Sequence, residues 1–282
     1  MSTHYTIRPA ARAELDIPIA WAAAEGWNPG LHDRDSFFAA DSNGFLLGFL
    51  DEEPIASISV VKYGATFGFL GFYIVKPGHR GQGYGMQIWR AGLDTLQGRN
   101  IGLDGVTAQQ ENYKKSGFAL AYANIRYEGI NGGNALDDEE IVALTNLPFD
   151  DVLAYDRPFF PADRARFLQS WIHQPENVAL GLVVESQLTG YGVLRPCVTG
   201  YKIGPLFADD PSVAERLFTA LSSYAPQGAP IYLDVPSVNP AAVVLAGKHN
   251  MRAVFETARM YTRENPALPF NRLFGVTTFE LG

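Results

Sequence analysis

The sequence predicts a mixed α/β protein built from two similar halves, and three features of its 282 residues carry that expectation. Short strand-like runs alternate with helical stretches along the whole chain. Gly and Pro are plentiful and scattered, as expected for many short elements joined by tight turns. The order of elements also repeats with a period of about 140 residues. Ile101-Gly-Leu-Asp-Gly-Val in the first half is answered by Ile231-Tyr-Leu-Asp-Val-Pro in the second. The expected domains are residues 1–132 and 133–282, joined by the glycine-rich, acidic segment 128–140.

The elements follow in order. A short strand at 5–8 precedes a helical stretch at 11–25, expected to break at Pro18, and a second helix at 33–40. Strand-like runs at 45–50, 55–63 and 67–75 come next, the first two joined by the turn Asp51-Glu-Glu-Pro54. A glycine-rich segment, 79–85, enters a helix at 86–96. A strand at 101–106, a short helix at 109–116 and a strand at 118–127 close the half. The second half repeats the plan. It has a helix at 159–173, strands at 178–185, 190–197 and 201–207, and a helix at 212–224 opened by Asp210-Pro211. A strand at 231–235, a helix at 240–248 and strands at 254–261 and 276–281 follow.

A net charge of −8 argues against nucleic-acid binding, which needs clustered Lys and Arg. Cys197 is the single cysteine, so no intrachain disulfide forms, and its apolar surroundings predict a buried structural role. The N-terminus lacks the basic start and apolar run of a secretory signal, and no apolar stretch is long enough to cross a bilayer. A cytoplasmic protein with no membrane partner is expected. His4, His32, His79, His173 and His249 show no metal-ligand spacing, and no serine-nucleophile elbow is present.

The sharpest local signal is Val75-Lys-Pro-Gly-His-Arg-Gly-Gln-Gly-Tyr-Gly85. A buried strand ends at Val75, Pro77 turns the chain, and the glycine-rich loop runs into a helix. A helix N-terminus offers unpaired N–H groups and partial positive charge. Glycines let those amides close on phosphate oxygens. The spacing Gly81-x-Gly83-x-Gly85 after hairpin-linked strands is not the dinucleotide fingerprint, and the Gly-Lys-Ser/Thr of a P-loop is absent.

Arg80-Gly-Gln-Gly-Tyr-Gly85 after a strand ending Val-x-Pro resembles the coenzyme A signature of the GNAT superfamily of N-acyltransferases. Tyr113-Lys-Lys-Ser-Gly-Phe118 is similar to the Tyr-x-x-x-Gly-Phe found after the fifth strand in that family. Glu25-Gly-Trp-Asn-Pro-Gly30, Phe69-Leu-Gly-Phe72, Leu103-Asp-Gly-Val106, Gly190-Tyr-Gly-Val-Leu-Arg195, Lys202-Ile-Gly-Pro-Leu-Phe-Ala208 and the terminal segment Thr277 to Gly282 extend the resemblance to tandem GNAT proteins over almost the whole chain. The resemblance implies a tandem GNAT fold of two similar domains and acetyl-CoA as donor substrate, with no metal. It implies that the fourth and fifth strands splay, that backbone groups of Tyr73, Ile74 and Val75 hold pantetheine, and that the amides of Arg80, Gly81, Gln82, Gly83, Tyr84 and Gly85 hold the pyrophosphate. Arg80 would add charge, and Tyr113 would protonate the departing thiolate.

The second half departs from this pattern. Lys202-Ile-Gly-Pro-Leu-Phe-Ala-Asp-Asp-Pro211 stands where the loop belongs, and its aspartates repel phosphate. Ala246 stands at the place of Tyr113, while Asn239-Pro-Ala-Ala242 keeps the start of the family's last helix. A scaffold that shapes the acceptor pocket or buttresses the first half is expected there.

The expected acceptor is a small-molecule amine, attacking directly in a ternary complex, with cationic acceptors favoured by the acidic chain. A protein N-terminus or lysine, or an acyl-CoA sensor without turnover, are the alternatives. No carboxylate lies on 67–75, where many members carry a Glu. Glu25 is the candidate to grip or deprotonate the amine, with Trp27 and Asn28 beside the acceptor. Asp104 reads as structural because Asp234 matches it in the half without the loop.

Overall fold

The computed structural model describes residues 4–133 and 138–282. The first half runs β1 (Tyr5–Pro9), α1 (Asp16–Ala24), α2 (Asp33–Ala40), β2 (Phe45–Leu50), β3 (Glu53–Tyr63), β4 (Phe67–Val75), α3 (Tyr84–Thr95), β5 (Asn100–Val106), α4 (Gln110–Lys115) and β6 (Ala119–Ile130). The second runs β7 (Ile141–Ala143), α5 (Phe149–Asp156), α6 (Ala165–Trp171), β8 (Val178–Val184), β9 (Gln187–Pro196), β10 (Tyr201–Ala208), α7 (Pro211–Ser223), β11 (Pro230–Pro236), α8 (Pro240–Lys248), β12 (Arg252–Tyr261) and β13 (Leu273–Gly275).

Several local expectations need correction. Pro18 does not break α1, because it sits in the first turn, where a missing N–H costs no helical bond. The helix expected over 159–173 shortens to α6, and a further helix, α5, precedes it with a 3₁₀ turn at Arg157–Phe159 between them. The final strand expected over 276–281 does not form: β13 lies just before it, and residues 276–282 fold as buried turns. Apolar content alone does not separate a strand from a packed terminal segment. The expected linker overlaps β6 as far as Ile130, and its residues 134–137 lie outside the described residues.

The halves share one 13-stranded sheet in the order β1-β2-β3-β4-β5-β12-β6-β11-β10-β9-β8-β7, with β13 beside β10. They are interleaved, which the sequence reading did not anticipate. The strand that closes the first half, β6, pairs antiparallel with β11 of the second, and β12 of the second takes the place beside β5. An ion pair fixes each crossing. Arg259 on β12 lies opposite Asp104 on β5 and binds it at 2.6 and 2.9 Å. Arg126 on β6 lies opposite Asp234 on β11 and binds it at 2.7 and 2.8 Å. Both pairs are almost wholly buried. Burial works against the Asp234 carboxylate, but the facing Arg126 outweighs it and holds that group below the usual range. A fragment ending at 132 would leave the β5 edge bare and Asp104 without its arginine.

The main core also crosses the halves. Phe37 on α2 stacks on Trp171 of α6 with ring centroids 6.2 Å apart, and meets Phe45 and Phe72 on its other sides. Burying each such ring stabilises the fold by about 1.5–3 kcal/mol. No helix among the described residues is long and apolar enough to cross a membrane.

Candidate active site

β4 and β5 run parallel only from Phe67↔Asn100 to Leu70↔Leu103, then part. The parting begins beside a bulge in β4. Phe72 takes a positive φ of 44° and the β3–β4 register slips between Ser57 and Ser59. Such backbone in a non-glycine residue costs on the order of 1–3 kcal/mol, and the Ser57 hydroxyl anchors it by donating to the Phe72 carbonyl at 2.8 Å. Ile74 and Val75 remain paired with β3 on one edge, which leaves their other edge facing the gap.

The gap opens into a cavity of about 550 Å³. At one end lies the loop before α3. Gly81 and Gly83 have φ of 75° and 88°, values that side-chain-bearing residues avoid, and Gly83 caps the helix. A Cβ on Gly85 would meet the Tyr73 hydroxyl at 2.8 Å. Gln87 is the first helix residue whose N–H finds a carbonyl, that of Gly83. The preceding amides, Gly81 to Met86, have no acceptor among the described residues, so the loop is a concave set of donors at a helix N-terminus.

Tyr113 reaches the cavity from α4. A Cβ on Gly105 would strike its ring at 2.2 Å, so the glycine of Leu103-Asp-Gly-Val106 makes room for it. The ring stacks on Trp89 at 5.5 Å. Burial, with a smaller contribution from Tyr73, pushes the phenol up to about 12, so it stays a hydrogen-bond donor through neutral pH.

A family described as "Acetyltransferase (GNAT) family" matches residues 13–118, and one described as "Acetyltransferase (GNAT) domain" matches residues 152–275. The chain is 33% identical over 280 residues to holothin acyltransferase of Pseudoalteromonas sp. (strain SANK 73390), covering 99% of this chain and 95% of that protein. It belongs to the GNAT acyltransferases, in tandem form. A putative acetyltransferase from Pyrococcus horikoshii shares the fold with a TM-score of 0.84 at 24% identity, over 99% of this chain and 96% of that one. A tandem GNAT protein of the clavulanic acid biosynthesis pathway does so with a TM-score of 0.65 at 10% identity, over 94% and 100%.

Within this acyltransferase, Glu25, Trp27, Tyr73, Ile74, Val75, Arg80, Gly81, Gly83, Gly85 and Tyr113 all line the one cavity. Gln82 and Tyr84 turn their side chains away, onto the Gly78 carbonyl and the Tyr5 ring, and leave only backbone to the loop. Arg80 is less free than its charge suggests. Its Nε donates to the Val75 carbonyl at 2.8 Å and its Nη2 pairs with Glu25. Glu25 therefore faces a guanidinium at the cavity mouth. Asn28 does not line the cavity. Its side chain donates to the Thr199 carbonyl at 2.9 Å and accepts the Thr199 N–H at 2.8 Å, clamping the halves together.

The sequence reading missed the far wall. Phe255 and Thr257 from β12, and Phe279 and Glu280 from the C-terminal segment, complete the cavity from the second half. The signals available were the terminal segment Thr277 to Gly282, a mark of the family resemblance, and the carboxylate inside the otherwise apolar and hydroxylic run Val276-Thr-Thr-Phe-Glu-Leu281. Among the described residues no group of three or more His, Cys, Asp or Glu is placed to hold a metal ion.

Proposed function

We propose that the chain transfers an acetyl group from acetyl-CoA to the amine of a small-molecule acceptor by direct attack in a ternary complex. One observation carries this reading: the donor loop, the open strand gap and the Tyr113 phenol share a single cavity. The family uses acyl-CoA donors, and the residues suit one. The amides of Gly81 to Gly85 would take the pyrophosphate, that of Arg80 being already donated to the Pro77 carbonyl at 3.3 Å, and the gap-facing backbone of Tyr73 to Val75, where the Val75 carbonyl already accepts from Arg80, would take the pantetheine amides. A backbone N–H of the bulged segment would polarise the thioester carbonyl. With a phenol near 12 and a thiol of about 8.5, full proton transfer to sulfur runs uphill. Tyr113 therefore stabilises the departing thiolate by a hydrogen bond.

The acceptor end favours a small apolar or aromatic amine over a polycation. Trp27, Phe72, Phe255 and Phe279 line the cavity, and two of its three carboxylates are paired with arginines, Glu25 with Arg80 and Asp104 with Arg259. Holothin, named by the full-length relative, heads the acceptors to test. The assay is coenzyme A thiol release from acetyl-CoA with holothin, benzylamine, spermidine and a peptide N-terminus. Release with holothin or benzylamine is expected. Binding of acetyl-CoA without release for any amine would make the protein a sensor, and fastest release with the peptide would make it a protein acetyltransferase.

A further inference from the structure

We propose that Glu280, delivered by the C-terminal segment, is the general base that takes the proton from the attacking amine. The proposal rests on the acetyl-transfer reading above. Three carboxylates line the cavity, Glu25, Asp104 and Glu280. Glu25 is paired with Arg80. Asp104 receives Arg259 on both oxygens and the Asn124 amide at 2.8 Å. Among the described residues Glu280 is the one of the three that pairs with no arginine. Its Oε2 accepts the Thr278 hydroxyl, while its Oε1 takes no hydrogen bond from any described residue. The nearest cations are engaged elsewhere: Arg126 on Asp234, Arg195 on Asp33 and Lys202 on the Asn28 carbonyl.

Its placement suits the role. A Cβ on Gly71 would meet the Glu280 carbonyl oxygen at 2.2 Å, so residue 280 lies against β4 one step past the last β4–β5 pair, Leu70↔Leu103. That is where the gap begins. Thr278 locks the side chain, because its oxygen also accepts the Glu280 N–H at 2.9 Å. Glu280 is only 4% exposed, yet the residue lines the cavity. A second polar atom waits nearby. Thr257 lines the same cavity, and its buried hydroxyl has no hydrogen-bond partner among the described residues.

In the step itself the amine nitrogen bonds to the thioester carbon and the C–S bond breaks with its electron pair on sulfur. The amine proton moves to Glu280 Oε1 and on to solvent. Sulfur leaves as a thiolate hydrogen-bonded by Tyr113 and takes its proton from solvent. Amide and free thiol are the products, and no other reactant is needed.

The test uses the full chain, acetyl-CoA and the fastest amine of the panel above. Glu280→Gln, which keeps the shape and the Thr278 contact, is expected to lower kcat by about 10²–10³-fold. Its acetyl-CoA Kd and Tm should stay at wild-type values. Formate should restore part of the activity of Glu280→Ala and none of that of Glu280→Gln. A Glu280→Gln enzyme with wild-type kcat, or a folded Glu280→Ala enzyme that binds acetyl-CoA and ignores formate, overturns the assignment and leaves acetyl transfer standing. A wild-type protein that turns over no amine overturns both.

Discussion

The chain builds the same strand gap twice and leaves only one of them open. In the first half β4 and β5 part after Leu70↔Leu103, and a cavity follows. In the second, β10 and β11 part after Ile203↔Leu233, and β13 lies in the gap. It pairs with β10 at Leu206↔Gly275, and the next residue, Val276, donates its N–H to the Asp234 carbonyl at 2.8 Å. The backbone edges that could hold pantetheine are thus satisfied by the chain itself. The loops differ in the same sense. Before α3 the amides of Gly81 to Met86 are free. Before α7 the Asp210 carboxylate accepts from Ser212 and Val213 at 2.7 and 3.0 Å, so the helix N-terminus is already capped by an anion. The comparison teaches that a repeated scaffold can lose its ligand by internal substitution. Peptide fills the slot whose counterpart in the first half is proposed to take pantetheine, and a side-chain carboxylate occupies the helix N-terminus whose counterpart is proposed to take phosphate. The same segment then continues past β13 and brings Phe279 and Glu280 to the open site, so closing one gap completes the other.

The largest effect should come from separating the halves. Residues 1–132 lack β12, which supplies the only neighbour of β5 on that side, so the fragment is expected not to fold; circular dichroism and a cooperative melt would check this. A fragment with full acetyl-CoA affinity would show that the exchange is incidental. Next come the two crossing ion pairs. Arg126→Met and Arg259→Met each strand a buried aspartate, and each is expected to cost about 3–5 kcal/mol in urea unfolding. Equal losses would support equivalent crossings, whereas a loss confined to one would break the symmetry. The smallest effect belongs to Tyr113→Phe. A hydrogen bond to a thiolate that leaves readily is expected to be worth about tenfold in kcat, or ~1.4 kcal/mol, with an unchanged KM for acetyl-CoA. A loss beyond a thousandfold would mean that the phenol transfers its proton fully.

Local signals carried much of this reading. The glycine spacing 81–83–85 marked a helix N-terminus with free amides because each glycine there answers a backbone or contact demand of its own. The matching Asp104 and Asp234 marked a structural pair, and the structure supplies the arginine for each. What stayed hidden depends on residues far apart in the chain. Nothing in the 118–127 run says whether it closes its own half or the other, since both edges suit the same alternating pattern. Arg259 lies 155 residues from Asp104, and no local rule joins them. Glu280 was invisible for the same reason, as its neighbours in sequence are core residues and its neighbours in space are β4 and β12. Asn28 misled because a polar residue beside a functional helix end can equally be a clamp, and here Thr199 takes it.

The central claim is that one gap binds coenzyme A and the other is filled by the chain. Calorimetric titration of the full-length protein with coenzyme A tests it most directly. The account predicts a single site per chain, with affinity reduced at least about a hundredfold in Gly83→Asp, where a carboxylate and a strained φ enter the amide nest. Two sites per chain, or a folded Gly83→Asp protein that binds as tightly as the wild type, would contradict it.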